Sequence, residues 1–256
     1  ENALGQQVGS SPEKSSHQVK VKVMDASELY DPEFRKLIRS KKPTIIIPVG
    51  SLEQHGAHLP ITTDSDIVTE IASRLAKKCG FIVLPTISYG VSFEHSPFFN
   101  LSVGNQTLLY SLVDTCESLY DNGVRRIIIL NGHHGNLVVL KQFKKAPIAL
   151  YTHNKMSIFS YWHFMKHEFD HAGFVETSLM LAISDKVKMK KAKKGFTTKG
   201  LSEKEIQRIN KLSTKPGGFP KVAKNGVWGD PTGATKKDGE KFLAEIVRNL
   251  AKECQS

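Results

Sequence analysis

The sequence predicts an α/β fold, a mostly parallel sheet covered by helices, on two observations. Short β-branched runs alternate along the chain with longer stretches of helical period. The two loops richest in histidine and carboxylate each follow directly on a β-branched run, where open parallel sheets carry their ligands. Strands are expected at 44–49 (TIIIPV), 81–85 (FIVLP), 125–130 (RRIIIL) and 148–151 (IALY). A helix is expected over 65–79, where Ile67, Ile71 and Leu75 recur every four residues and Gly80 ends the run. A second, over 106–121, carries Leu109, Leu112, Val113 and Cys116 on one side. Others are expected after Asn136, over 176–183, and from Thr235 to about Lys252, the last on Phe242, Ile246 and Leu250. Residues 1–18 are rich in Ser, Gln and Gly without hydrophobic period and read as a flexible tail. Residues 19–256 contain neither repeat nor linker and read as one domain.

Composition narrows the function. With 256 residues, 39% of them hydrophobic, a large buried core is affordable. Three cysteines without a CxxC pair argue against a disulfide framework and a zinc ribbon. There is neither an apolar run of membrane-spanning length nor the apolar segment of a signal peptide, so a soluble cytoplasmic protein is expected. The net charge of +11 owes much to the stretch 186–200 (KVKMKKAKKGFTTKG). That stretch lacks interleaved aromatics and reads as a solvated surface, with anion steering as the alternative; a nucleic-acid partner is not expected.

The chemistry gathers in three places. The loop GSLEQHGAHLPITTDSD after the first strand holds Glu53, His55, His58 and Asp64; the loop NGHHGN holds His133 and His134; FDHAGFVETS holds Asp170, His171 and Glu176. A hydrolytic metal centre needs imidazole and carboxylate ligands converging from separate segments, with one carboxylate able to bridge if there are two ions. Glu53 and His55, two apart, project to one side of an extended segment, and Asp64 at the mouth of the next helix is the natural bridge. Asp66 reads as a first-turn carboxylate favoured by the helix dipole. Neither a GxSxG elbow nor a GxxxxGK phosphate loop is present.

Four segments in order, PVGSLEQHGAHLPITTDSD, NGHHGN, HAGFVETSLM and GVWGDPTGAT, resemble the creatininase (creatinine amidohydrolase) family from about Thr44 to Lys252. The resemblance implies a three-layer α/β/α sandwich and two divalent ions per chain, zinc, manganese or iron. It implies that Glu53 and His133 hold one ion, that His55 holds the other, and that Asp64 bridges both. Creatininase has a glutamate ligand two residues after the histidine of NGH; this chain has Gly135 there, and Glu176 is the candidate replacement.

By the same resemblance, metal-bound hydroxide attacks an amide carbonyl and His171 passes a proton to the leaving nitrogen, with Asp170 either orienting it or capping the following helix. His134, Glu94, His95 and Trp228 are substrate-binding candidates. Creatininase has a tyrosine directly after its NGH histidine; with His134 there and a shortened stretch before His171, part of the aromatic lid is expected to be absent. Core packing is the competing reading for Trp162. The basic balance favours a phosphorylated substrate, hence a formamide hydrolase of the formylamino-pyrimidine ribotide type. Creatinine hydrolysis, a mycofactocin-type peptidase and a non-catalytic metal-binding module are the alternatives. The family also implies a homo-oligomer, a hexamer.

Overall fold

The computed structural model describes residues 24–151 and 156–254; the expected N-terminal tail lies outside them. Five strands form one parallel sheet: β1 (Met24–Asp25), β2 (Thr44–Val49), β3 (Ile82–Val83), β4 (Arg126–Asn131) and β5 (Met156–Ser160). Their order is β1-β3-β2-β4-β5.

The central pair β2 and β4 runs in register from Thr44 opposite Arg126 to Val49 opposite Asn131. Both strands are apolar at nearly every position because both faces are covered. Ile45, Ile47, Ile127 and Ile129 point into one core, and Ile46, Ile128 and Leu130 into the other. The first core is closed by α3 (Asn105–Asp121) and α4 (Leu137–Phe143). The second is closed by α2 (Thr63–Cys79), α6 (Phe174–Ile183) and α9 (Lys236–Glu253). The result is the expected three-layer α/β/α sandwich.

Pro48 sits in the central strand without breaking it. Its carbonyl accepts from the Ile87 amide on the β3 side, so its own nitrogen faces the same side. There β3 has already ended at Val83, and the missing donor costs no ladder bond.

One expected strand is wrong. Residues Pro147–Tyr151 form the short helix α5, and the edge strand is Met156–Ser160. Proline fixes φ near the helical value and needs no N–H partner in the first turn, so IALY behind Pro147 starts a helix. A four-residue apolar run cannot distinguish the two states by period. The expected helices are present. The last is capped by the Thr235 hydroxyl, which accepts from the Asp238 amide at 3.1 Å. Also present are α1 (Asp31–Lys41), α7 (Glu203–Ser213) and α8 (Phe219–Val222), for which no expectation was drawn. Cys79, Cys116 and Cys254 are free thiols, and no helix among the described residues is long and apolar enough to cross a membrane.

Ile46 is fully buried in the core behind the site, so Ile46→Ala should cost about 2–5 kcal/mol of stability, read from urea unfolding at constant m-value.

Candidate active site

The loops leaving β2, β4 and β5 at their carboxyl ends meet the loop 84–103 after β3 in one buried cluster. The Gly50 backbone lies so close to α2 that a Cβ there would stand 2.4 Å from Ser65 Oγ. Ser65 donates to the Ser51 carbonyl at 3.1 Å, which brings the first turn of α2, with Asp64, against the segment carrying Glu53 and His55. From the other side, Asn136 donates to the Gly50 carbonyl (3.0 Å) and to Asn131 Oδ1 (3.2 Å), and its Oδ1 accepts from the Val91 amide (3.0 Å). The asparagines of NGHHGN are thus the stitching between three loops, and of the two histidines between them His133 meets Asp64 while His134 lines the cavity.

Asp64 sits at the centre. Its Oδ1 lies 3.1 Å from His55 Nε2 and its Oδ2 lies 2.9 Å from His133 Nδ1. His55 Nδ1–H donates to the Glu53 carbonyl (3.1 Å) and His133 Nε2–H to the Val91 carbonyl (2.8 Å). These backbone acceptors fix both tautomers and turn the other ring nitrogen towards Asp64, the orienting arrangement of metal-binding histidines. Glu53 Oε2 is 3.3 Å from His133 Nε2, and Glu176 Oε2 is 3.5 Å from His55 Nε2.

The donor atoms fall into groups able to hold a cation: Glu53, Asp64 and His133; His55, His171 and Glu176; and Glu53, His95 and His171. Glu176 Oε1 is buried without a hydrogen-bond partner among the described residues, and Asp64 Oδ2 and Glu53 Oε1 face ring nitrogens of His133 (2.9 Å) and His95 (3.0 Å). Burying three carboxylates together against imidazoles alone is costly, and cations satisfy them, so the residues fit the metal the sequence led us to expect.

The electrostatics agree. Burial alone would lower the pKa of His55, but Asp64 and Glu176 raise it to about 10. His133 is likewise raised against burial by Glu53 and Asp64. Burial would raise Asp64, yet His55 and His133 hold it well below the usual carboxylate range. Glu176 is pushed up to about 8 by burial, against the pull of His55.

His171 enters through a strand-like exchange with Trp228: its amide donates to the Trp228 carbonyl (3.0 Å) and its carbonyl accepts from the Trp228 amide (2.8 Å). Its ring lies 4.3 Å from that of His55 and 4.8 Å from that of Phe219. Burial, with His55 and His95 nearby, keeps it well below the ordinary histidine pKa and therefore neutral at pH 7. The next residue, Ala172, has φ +53° and is fully buried; its amide donates to Glu176 Oε2 at 2.6 Å. A left-handed alanine is strained, and that hydrogen bond to a carboxylate helps hold it.

A cavity of about 520 Å³ opens over the cluster and is walled by Phe169, Phe219, Trp228 and by Ile206, Asn210 and Ser213 of α7. The other expected residues divide. His95 joins the cluster, with Nε2 3.0 Å from Glu53 Oε1, while His134, Glu94 and Trp228 line the cavity. Trp162 is buried and stacked on Phe169, the core-packing reading. Asp170 does not orient His171: its carboxylate accepts from the amides of Val175 (2.9 Å) and Glu176 (3.3 Å), capping α6. His58 Nε2 is paired with Thr177 Oγ1 at 3.0 Å, away from the chemistry.

Gln54 was overlooked in the sequence. Its Oε1 accepts from the Gly56 amide (3.0 Å), and its Nε2 lies 3.0 Å from His95 Nδ1 and 3.1 Å from His171 Nε2. Its place between two ligand-type residues was the available signal.

Comparison with known proteins gives consistent results. The family model described as creatinine amidohydrolase matches residues 27–254. The chain is 34% identical over 221 residues to the mycofactocin precursor peptide peptidase of Mycolicibacterium smegmatis, covering 84% of this chain and 85% of the peptidase. It is 26% identical over 226 residues to the 2-amino-5-formylamino-6-ribosylaminopyrimidin-4(3H)-one 5'-monophosphate deformylase of Methanocaldococcus infernus, covering 85% and 94%. A crystal structure of creatinine amidohydrolase matches with a TM-score of 0.76 at 25% identity, over 91% of this chain and 96% of that one.

Metal affinity should rise with pH. In the metal-free chain His55 (about 10) and Glu176 (about 8) both hold protons at pH 7, and a ligand must lose its proton to bind. Zinc titration in buffers of different ionisation enthalpy should therefore show proton release at pH 7, and apparent affinity should climb between pH 6 and 9. A pH-independent affinity would contradict the ligand set.

Proposed function

The chain belongs to the creatininase family of amidohydrolases, and from that premise we propose that it hydrolyses a peptide-derived amide with two divalent cations per chain. The observation that carries this reading is the interlocked cluster of Glu53, His55, Asp64, His133 and Glu176, in which three buried carboxylates converge on two buried imidazoles. Glu53, His133 and Asp64 would hold one ion, and His55, Glu176 and Asp64 the other; Glu176 then stands in for the carboxylate absent at Gly135. Nitrogen and oxygen donors of this kind suit zinc, manganese or iron. When bound, the ions polarise the amide carbonyl and lower the pKa of a coordinated water towards neutrality.

The chain's own residues do the rest. His171, neutral and beside His55, is placed to take a proton on the cluster side and deliver it to the departing nitrogen, since an unprotonated amine leaves too slowly. Gln54 can serve either tautomer of that ring: its main-chain carbonyl lies 3.1 Å from His171 Nε2, and so does its side-chain amide nitrogen. Phe219, packed against both His95 and His171, shields the proton path from solvent.

Support for a peptide-derived substrate is the peptidase relative, similar along most of both chains. A second reading, a small planar amide, is favoured by the aromatic walls Phe169, Phe219 and Trp228. A phosphorylated pyrimidine fares worse, because no Lys or Arg is found among the described residues lining the cavity. The basic balance resides elsewhere on the surface.

The test is hydrolysis of a panel of short peptides, creatinine and the formylamino-pyrimidine ribotide by zinc-, manganese- and iron-loaded protein, read as new amine for the peptides, creatine for creatinine and formate for the ribotide. Peptide turnover is expected; turnover of the ribotide alone would overturn the substrate reading. His171→Ala should keep its metal while kcat falls roughly 10²-fold or more, so a loss of metal would make His171 a ligand instead. Glu176→Gln should lose about one ion of two by elemental analysis, and unchanged content would remove it from the ligand set.

A further inference from the structure

The cavity carries six carboxylates among its aromatic, histidine and neutral polar side chains, and they are not equivalent. Glu53, Asp64 and Glu176 are engaged with the histidines of the cluster, Asp170 caps α6, and Glu168 is exposed to solvent at the rim. Glu94 is different. It belongs to none of the cation-holding groups, and its nearest charged neighbour is His133 Nε2, at 3.7 Å from Oε1, beyond hydrogen-bond distance. Its side chain is 14% exposed and faces the cavity, and no hydrogen bond from it to another residue is found among the described residues.

The position of Glu94 is built rather than incidental. A Cβ placed on Gly135 would stand 2.1 Å from the Val91 carbonyl, 2.4 Å from His133 Nε2 and 2.6 Å from Glu94 Oε1. The loop carrying Glu94 therefore fits only against a glycine at 135. The same loop is pinned by His133 Nε2–H to the Val91 carbonyl and by the Val91 amide to Asn136 Oδ1. Where a side chain at 135 would start, the loop after β3 delivers a carboxylate instead, beside the cluster and open to the ligand.

A desolvated carboxylate with an unfilled acceptor, in a cavity lined by no Lys or Arg among the described residues, suits a donor-bearing cation. Resting on the amidohydrolase reading, we propose that Glu94 determines specificity by accepting hydrogen bonds from a protonated amino group of the substrate adjacent to the amide that is cleaved. The substrate class is then an amide carrying a free amine.

The experiment uses metal-loaded protein and two readouts. The first is calorimetric binding of n-butylammonium to wild type, Glu94→Gln and Glu94→Ala. Wild type should bind the ammonium, and Glu94→Gln, which keeps shape and removes charge, should weaken that binding roughly 10-fold or more. The second is kcat/KM for short peptide amides with a free amine against their N-acetylated counterparts. The preference for the free amine should lie mainly in KM and should collapse in both variants.

Ammonium binding that is indifferent to Glu94→Gln overturns the proposal. So does loss of bound metal in Glu94→Gln, which would make Glu94 a ligand. If no amide is turned over while the binding difference stands, the amidohydrolase reading fails and the amine site survives.

Discussion

Everything at the carboxyl edge of the sheet depends on one carboxylate, that of Asp64, being held between two imidazoles. It sits in the first turn of α2, so its backbone is fixed by a helix that packs on the sheet, and its two oxygens face histidines from the loops after two different strands. A carboxylate that deep would ordinarily be protonated; here the paired rings keep it charged. In return it ties the loop after β2 to the loop after β4. Around this bridge the chain arranges the same economy throughout. Backbone carbonyls choose the tautomers, asparagines close the loops, and the converging carboxylates form groups able to hold cations.

Much of this was legible in the sequence, for identifiable reasons. β2 carries apolar side chains to both faces, so its run of isoleucines marks it as central, and its limits are those expected. The ligand-type residues cluster because a parallel sheet concentrates function in the loops at one edge. What escaped was decided by tertiary surroundings. The IALY run became a helix because of the proline ahead of it, and the mixed run of β5 took the sheet edge instead. Gln54 looks like a spacer until the ring nitrogens of His95 and His171 are seen beside it. Asp170 could orient or cap, and only the direction of its oxygens chooses.

Net charge was the weakest guide. A value of +11 suggested an anionic substrate, yet the described residues around the cavity include no Lys or Arg. Charge summed over a chain describes its surface, because lysines are seldom buried unpaired. The floor of a site answers to different constraints, and here it is made of carboxylates, imidazoles and aromatic rings.

The bond between Gln54 and His171 joins residues 117 apart in the chain, and the segments that complete the cluster are spread from β2 to α6. Such a centre has no partial form. A chain whose β2 and α2 have already folded holds half the donors, with nothing to close them, until the segment beyond β5 docks. Long-range closure is the slow part of folding a parallel sheet. The donor cluster is therefore complete only when the loops after β2 and β4 and the start of α6 are all in place together.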